Sequence, residues 1–323
     1  MKAIRFPKTG GPNVLALEEI ELPPPRAGEA RVRHTAIGVN FIDTYQRSGL
    51  YPVSLPSGLG LEGAGVIEAV GDGDSGLEIG DRVAYCTGPL GAYAEANNVP
   101  TDRLVKLPSG ISDEIAAAAL LKGMTAQYLL KRTYAVQPEQ TILFHAAAGG
   151  IGLIACQWAK HLGATVIGTV GSDEKTALAK ANGCTHVLNT RKEEWSNRVR
   201  EITGGNGVPV VYDGIGKDTF SGSLDCLAVR GMLVSFGNAS GSVPAFEPGI
   251  LSAKGSLYLT RPTLFHYTRT SKELQDTADD LFAVILSGAV KIAINQRFPL
   301  AQAREAHEAL HSRATTGATI LVP

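Results

Sequence analysis

Residues 143–152 read LFHAAAGGIG, and this stretch limits the possible folds more than any other in the chain. An apolar run, Thr141-Ile142-Leu143-Phe144, ends in Ala146, Ala147, Ala148, Gly149, Gly150 and Gly152, and an apolar stretch at 151–162 follows. That is strand, tight turn and helix. Small side chains let a ligand approach the backbone, and a helix start offers unpaired N–H groups to an anion. Ala147, Gly149 and Gly152 occupy the three glycine positions of a dinucleotide fingerprint, the first of them substituted by alanine. By itself the same spacing also describes a small-residue helix packed closely on a sheet.

The chain has 323 residues, room for two domains with cores of their own. Apolar residues make up 44% and charged residues 19%, the balance of a soluble globular enzyme. A net charge of -1 gives no electrostatic reason to expect nucleic acid or an anionic membrane as partner. The start, MKAIRFPKTGG, has no apolar signal core, and no apolar run could span a bilayer, so the expected location is the cytoplasm. Cys86, Cys156, Cys184 and Cys226 form no C-x-x-C pair and read as free thiols.

Up to about residue 121, glycine and proline punctuate short β-rich runs such as ARVRHTAI at 30–37 and GVIEAV at 65–70. This predicts a compact antiparallel β domain. Residues 115–121 and 125–134 are helix-like. Strands are then expected at 141–147, 165–170, 186–190, 208–213, 232–236 and 256–260. Helices are expected between them at 150–162, 173–182, 193–203 and 217–229, with a shorter one at 248–253. Such alternation means a doubly wound parallel sheet. After Arg261 the rhythm stops. A helix at 271–287 is expected, capped by Ser271, burying Leu274, Ala278, Leu281, Phe282 and Ile285, and ended by Gly288. A last helix at 301–310 and a strand at 318–322 are expected to return to the first domain. The domains are then 1–121 with 262–323, and 122–261, with a cofactor in the cleft between them.

In such a sheet the second strand ends beside the adenosine ribose, where a carboxylate would select NAD over NADP. Here that strand is followed by Gly171, Ser172 and, one turn on, Lys175; Asp173 is the acid that complicates the picture. Open space, a hydroxyl and a positive charge favour NADPH. A charge-assisted contact to the extra phosphate is worth about 1.5–3 kcal/mol.

Several longer stretches together resemble a family. They are AIGVNFIDTY at 36–45, GLYP at 49–52, GLEGAG at 60–65, GDRV at 80–83, LKGMT at 121–125, HAAAGGIG at 145–152, VVYDG at 210–214 and FGN at 236–238. In this order they resemble the medium-chain dehydrogenase/reductases over essentially the whole chain, and most closely the zeta-crystallin-like quinone oxidoreductases. The resemblance implies a GroES-like β barrel followed by a Rossmann domain, and a homodimer. Zinc-dependent members place cysteine where Asn40 stands and histidine where Leu61 stands. A catalytic zinc needs three Cys, His or carboxylate ligands, so no metal is expected. Without a Lewis acid the expected acceptors take hydride readily: quinones or activated double bonds.

The resemblance also assigns residues. Gly149, Gly150 and Ile151 would hold the NADPH pyrophosphate, and Gly171, Ser172 and Lys175 its 2′-phosphate. Phe236 and Asn238 would border the nicotinamide ribose, while Thr125 and Tyr128 would face the nicotinamide or phosphates. Arg313 would reach the cofactor from the tail. Asn40, Phe41, Tyr45 and Tyr51 would meet cofactor and acceptor, with Asn40 and Tyr45 as hydrogen-bond donors to the oxygen that becomes negative. Other readings are an enone or enal reductase on the same scaffold, or a non-catalytic NADPH-binding protein of the crystallin or RNA-binding type. Residue by residue, Asn40 and Asp43 could simply bond their own loop, Tyr45 and Tyr51 could be core aromatics, and Lys175 could be a solvated helix lysine. His145 reads as a satisfied core histidine, Glu62 as paired within the first domain, and Asp213 as near the cleft or structural.

Overall fold

The computed structural model describes residues 1–73, 76–312 and 315–323, and the counts that follow are made of these. The chain forms two compact units. One comprises Met1–Met124, Thr268–Leu286 and Ile292–Pro323, the other Thr125–Tyr267 and Ser287–Lys291. Sequence texture put the changes at 121/122 and 261/262. Both breaks fall later, and the first lies within the helix Asp113–Tyr128, which is continuous and joins the two stretches read separately as helical. It runs on into a π-helical turn, Leu129–Thr133.

In the second unit, six strands among the described residues make one sheet of parallel neighbours. Its spatial order is His186–Asn189, Thr165–Val170, Thr141–Phe144, Val208–Asp213, Leu227–Ser235 and Tyr258–Thr260. By chain position that is third, second, first, fourth, fifth, sixth, the doubly wound order whose switch point lies between the first and fourth strands. Helices cover the sheet, and Leu143, Ile167, Leu188, Val208, Val211 and Leu233 form much of its core. The fifth strand begins five residues before the expected start. Leu227 pairs with Val208, an irregularity follows, and the ladder resumes at Met232, so the preceding helix is only Phe220–Asp225.

The first unit carries a three-stranded antiparallel sheet, Lys2–Phe6 between Ala16–Glu19 and Ser57–Gly58. Beside it is a seven-stranded sheet built on Glu29–Val39. That long strand pairs along its length with Glu62–Val70 and is bulged at two points. On its other edge, residues 29–33 pair with Ala96–Pro100 and residues 37–39 with the closing strand Ala318–Val322. The bulges bend the strand so that it can change partner midway. The helix Ser271–Leu286 belongs to this unit and buries Leu274, Ala278, Leu281 and Phe282 as expected. Ile285, however, is only half-buried, and Val284 takes the inner position. Its cap is Thr270 rather than Ser271: the Glu273 N–H donates to Thr270 Oγ1 at 3.1 Å, and Thr270 N–H donates to Glu273 Oε2 at 3.2 Å. One residue of offset puts Ser271 in the first turn.

At the turn after the first strand of the second unit, helix Gly150–His161 approaches so closely that a Cβ on Gly152 would lie 2.7 Å from Ala147 Cα. The alanine at the first fingerprint position is accommodated from the neighbouring strand. A Cβ on Gly168 would meet the Ala147 methyl at 2.7 Å and Cys184 Sγ at 2.6 Å, so glycine there leaves room for the methyl group. Gly168→Ala is therefore expected to destabilise the fold by about 1–3 kcal/mol through overpacking. Adding Ala147→Gly should recover part of the loss, a rescue measured by urea unfolding of the single and double variants.

Candidate active site

Gly149 caps the helix Gly150–His161 without a side-chain hydrogen bond, and no acid lies in the first turn. The first N–H groups of that helix have no intrahelical acceptor, which suits them to an anion. Ala146 holds a left-handed conformation at φ 53°, a backbone region that costs a residue with a Cβ about 1 kcal/mol or more. The flanking residues pin it: His145 N–H donates to Tyr212 O at 3.0 Å and Ala147 N–H to Thr169 O at 2.9 Å. Gly149, Gly150 and Ile151 are half-buried and so reachable from solvent.

After the second strand, a Cβ on Gly171 would meet nothing within 4 Å. Asp173 is tied elsewhere: Asn189 Nδ2 donates to it at 2.8 Å and Lys192 forms an ion pair with it. Both partners hold its carboxyl below the usual carboxylate range, Lys192 the more strongly. Ser172 is half-buried and gives its hydroxyl to Glu174, a second acid at this corner that the sequence reading did not weigh. Lys175 stands half-buried in the first turn of helix Glu174–Ala181.

Past the fifth strand, the Phe236 ring lies 5.8 Å from that of Phe144, and a Cβ on Gly214 would come within 2.9 Å of it. The Asn238 amide donates to Gly237 O at 2.9 Å and accepts from Arg261 Nη2 at 3.3 Å, while Arg261 Nη1 donates to Ser235 O at 2.8 Å. Arg261 and Asn238 line a groove of 510 Å³ with Phe220, Val243, Phe246 and Leu259. Arg261 was not legible as a site residue, because it lies after the last strand with no motif around it. Thr125 and Tyr128 are buried in the last turn of their helix, where the Tyr128 ring stacks on Tyr267 at 4.4 Å. Burial pushes the Tyr128 hydroxyl well above its ordinary range.

In the first unit, Asn40 precedes the helix Phe41–Ser48, and its N–H donates to Asp43 Oδ2 at 2.8 Å. Its side-chain amide donates to Glu62 Oε2 at 2.8 Å. Glu62 is fully buried, accepts also from the Leu121 N–H at 2.6 Å, and faces Lys122 Nζ at 3.5 Å. Burial raises its carboxyl, an effect that Lys122, Asn40 and the Leu121 N–H oppose. Gly38 makes the space, since a Cβ there would lie 2.6 Å from Glu62 Cδ. Phe41 is exposed, Tyr45 and Tyr51 are half-buried, and the three rings form one cluster, Tyr45 and Tyr51 edge to face at 5.2 Å. Lys122 is the buried cation that sequence reasoning missed; the LKGMT stretch held the signal. Arg313 lies outside the described residues.

The architecture and the small-residue turn define a two-domain dehydrogenase/reductase. Residues 26–109 match the alcohol dehydrogenase GroES-like domain and residues 150–283 the zinc-binding dehydrogenase family. A quinone oxidoreductase of Pseudomonas aeruginosa is 56% identical over 100% of this chain and 99% of that one. The structure of Escherichia coli quinone oxidoreductase complexed with NADPH is 51% identical, with a TM-score of 0.99 over 100% of both chains. A 2-haloacrylate reductase from a Burkholderia species is 45% identical over 98% of this chain and 97% of that one. The chain belongs to the quinone oxidoreductase family of the medium-chain dehydrogenase/reductases.

One matching description names zinc, and the donors present do not suit it. Asn40 is an amide that gives one hydrogen to Glu62, Leu61 has no donor atom, and Glu62 is paired with Lys122. Among the described residues no group of three His, Cys, Asp or Glu side chains converges.

On the helix that carries Phe41 and Tyr45, Asp43 is fully buried and its carboxyl is raised from 3.8 to about 7, chiefly by burial, against hydrogen bonds from Asn40 N–H and Tyr93. Folded protein therefore holds this proton more tightly than unfolded chain. The resulting stabilisation is full below pH 3.8 and is lost as pH rises through about 7. His34 and His307, lowered by burial to about 4 and about 3, act in the opposite sense, so only a difference isolates Asp43. Asp43→Asn should gain stability relative to wild type between pH 4 and pH 8, as read from urea midpoints at each pH.

Proposed function

We propose that the protein is an NADPH-dependent quinone reductase that works without a metal. The observation that carries this is the corner after the second strand. Gly171 leaves space, the Asp173 carboxylate is engaged by Asn189 and Lys192, and Lys175 stands in the first helical turn. The 51% identity to a quinone oxidoreductase complexed with NADPH supports the same reading.

When bound, NADPH supplies a hydride from its nicotinamide ring. In this proposal the N–H groups at Gly149, Gly150 and Ile151 bind the pyrophosphate, and Gly171, Ser172 and Lys175 bind the 2′-phosphate. Phe236 and Asn238 border the nicotinamide ribose, and Thr125, Tyr128 and Phe41 complete the cofactor site. Asn40 and Tyr45 donate hydrogen bonds to the acceptor oxygen as it gains charge, which lowers the barrier because the dipoles are fixed beforehand. Asn40 is held by Glu62, and Tyr45 is buttressed by the Tyr51 ring. Water protonates the product.

A second reading, reduction of an activated carbon–carbon double bond, is favoured by the 45% identity to a 2-haloacrylate reductase. NADPH oxidation with 1,4-naphthoquinone against a cyclic enone separates the two; the quinone is expected to be the faster acceptor. Lys175→Ala should raise the KM for NADPH about tenfold and leave that for NADH nearly unchanged, the loss expected for one charge-assisted contact. Equal effects on both nucleotides would sink the phosphate assignment.

We also propose a homodimer, working in the cytoplasm. No helix among the described residues is long and apolar enough to cross a membrane. The strand Tyr258–Thr260 ends the parallel sheet on one side, with Tyr258 58% exposed and Val229 on the neighbouring strand 74% exposed. An apolar sheet edge of this kind is a template for a second copy. Sedimentation should give twice the chain mass, and Tyr258→Arg should shift it toward monomer.

A further inference from the structure

Behind the dinucleotide turn lies a chain of buried polar side chains that the site as proposed leaves unused. His145, Thr169, Asp213, Thr219 and Ser223 are all buried. The Asp213 carboxylate accepts from Ile215 N–H at 2.8 Å, Gly216 N–H at 3.0 Å, Thr219 Oγ1 at 2.7 Å and Ser223 Oγ at 2.8 Å. Ser223 has one hydrogen and gives it to Asp213, so toward His145 Nε2, 3.0 Å away, it can only accept. Nε2 therefore carries the hydrogen. Burial lowers the His145 pKa and keeps the ring neutral, so Nδ1 has a lone pair. It accepts from Thr169 Oγ1 at 2.8 Å. The chain runs one way, from Thr169 through His145 and Ser223 to Asp213, and fixes the histidine tautomer. Trp195 stands edge-on to the ring at 4.9 Å and holds its plane.

The chain's position is what connects it to the cofactor. Thr169 is the last residue but one of the second strand, and Gly171 and Ser172 follow that strand. His145 directly follows the first strand and precedes the left-handed Ala146. Asp213 ends the fourth strand, next to Gly214, on which the Phe236 ring rests. These three strands are neighbours in the sheet. One histidine thus bridges the ends of the strands whose loops are assigned to the 2′-phosphate and the pyrophosphate, and through Ser223 it is linked to the end of the fourth strand. A leucine would fill the same volume but leave the first and second strand ends tied by backbone hydrogen bonds alone, because dispersion contacts have no direction while a two-ended hydrogen bond does.

We propose that His145 is a positioning residue for NADPH: its tautomer-fixed ring holds the two phosphate-binding turns at one separation, so that both phosphates are bound together. This rests on the cofactor assignment above. The direct measurement is the Kd of NADPH by fluorescence titration, at a temperature where each variant is folded by circular dichroism. His145→Leu, which takes the acceptor from the Thr169 hydroxyl and the donor from Ser223, should weaken NADPH about tenfold, the equivalent of roughly 1.4 kcal/mol. In steady state the loss should fall on the NADPH KM and not on kcat. His145→Gln carries an acceptor and a donor at similar spacing and should restore most of the affinity. Thr169→Val, which removes only the first donor and keeps the volume, gives a second reading and should raise the Kd severalfold. Wild-type affinity in folded His145→Leu and Thr169→Val, or a glutamine variant as weak as leucine, would overturn the proposal. Failure of the wild-type protein to bind NADPH would instead overturn the cofactor assignment, and this inference with it.

Discussion

The second unit depends on how closely one helix can approach one strand. Helix Gly150–His161 presses its Gly152 against Ala147, and Ala147 in turn presses against Gly168 of the adjacent strand. A methyl added at Gly152 would meet backbone of Ala147 at 2.7 Å, and one at Gly168 would meet the Ala147 methyl at 2.7 Å and Cys184 Sγ at 2.6 Å, so neither position can take a side chain without a shift in its neighbours. The closeness fixes where the first N–H groups of the helix lie, and they are the groups offered to an anion. Packing and anion affinity therefore have one common cause, while the left-handed Ala146 is held by the backbone hydrogen bonds of His145 and Ala147.

The first unit makes its site polar by another route. Glu62, Lys122, Asn40 and Asp43 are buried together, and Glu62 draws an amide hydrogen bond from Asn40 and an ion pair from Lys122. A buried carboxylate is costly unless it is hydrogen-bonded, and Glu62 has three donors. The result is a rigid Asn40 whose amide direction is set before any ligand arrives. A second buried chain lies behind it: Arg47 Nη1 meets His307 Nδ1 at 3.0 Å, His307 Nε2 meets Tyr93 at 3.0 Å, and Tyr93 donates to Asp43 at 2.9 Å. Each unit thus contains a histidine held at both nitrogens between hydrogen-bonding side chains, and each of these chains ends at a buried aspartate, Asp213 or Asp43.

Local readings fared best where a single physical signal dominated. The strands at 165–170, 208–213 and 318–322 have the bounds expected from their β-branched runs, because nothing in their surroundings competes with that pattern. The strand at 227–235 was read as starting late, since Leu227 joins the ladder through a register shift that no local pattern announces. Serine is a favoured cap residue, but Thr270, one residue earlier, makes the reciprocal bonds with Glu273 and takes that role. Phe41, Tyr45 and Tyr51 lie within one short stretch and meet as a cluster, whereas Glu62 and Lys122 are brought together from 60 residues apart.

The sequence by itself determined the alternation of strands and helices, the small-residue turn, the absence of cysteine at 40 and histidine at 61, and the lack of an acid at 171 and 172. These are properties of residue type and spacing, and they act over a turn or two of chain. Only the tertiary structure decided that Asp173 is engaged by Asn189 and Lys192, that Glu174 takes the Ser172 hydroxyl, that Arg261 joins Asn238, and that His145 has a fixed tautomer. In each case the deciding partner is a hydrogen-bonding group that chain folding brings within about 3 Å, the range over which such bonds act. Spacing along a sequence carries no information about so short a distance in space.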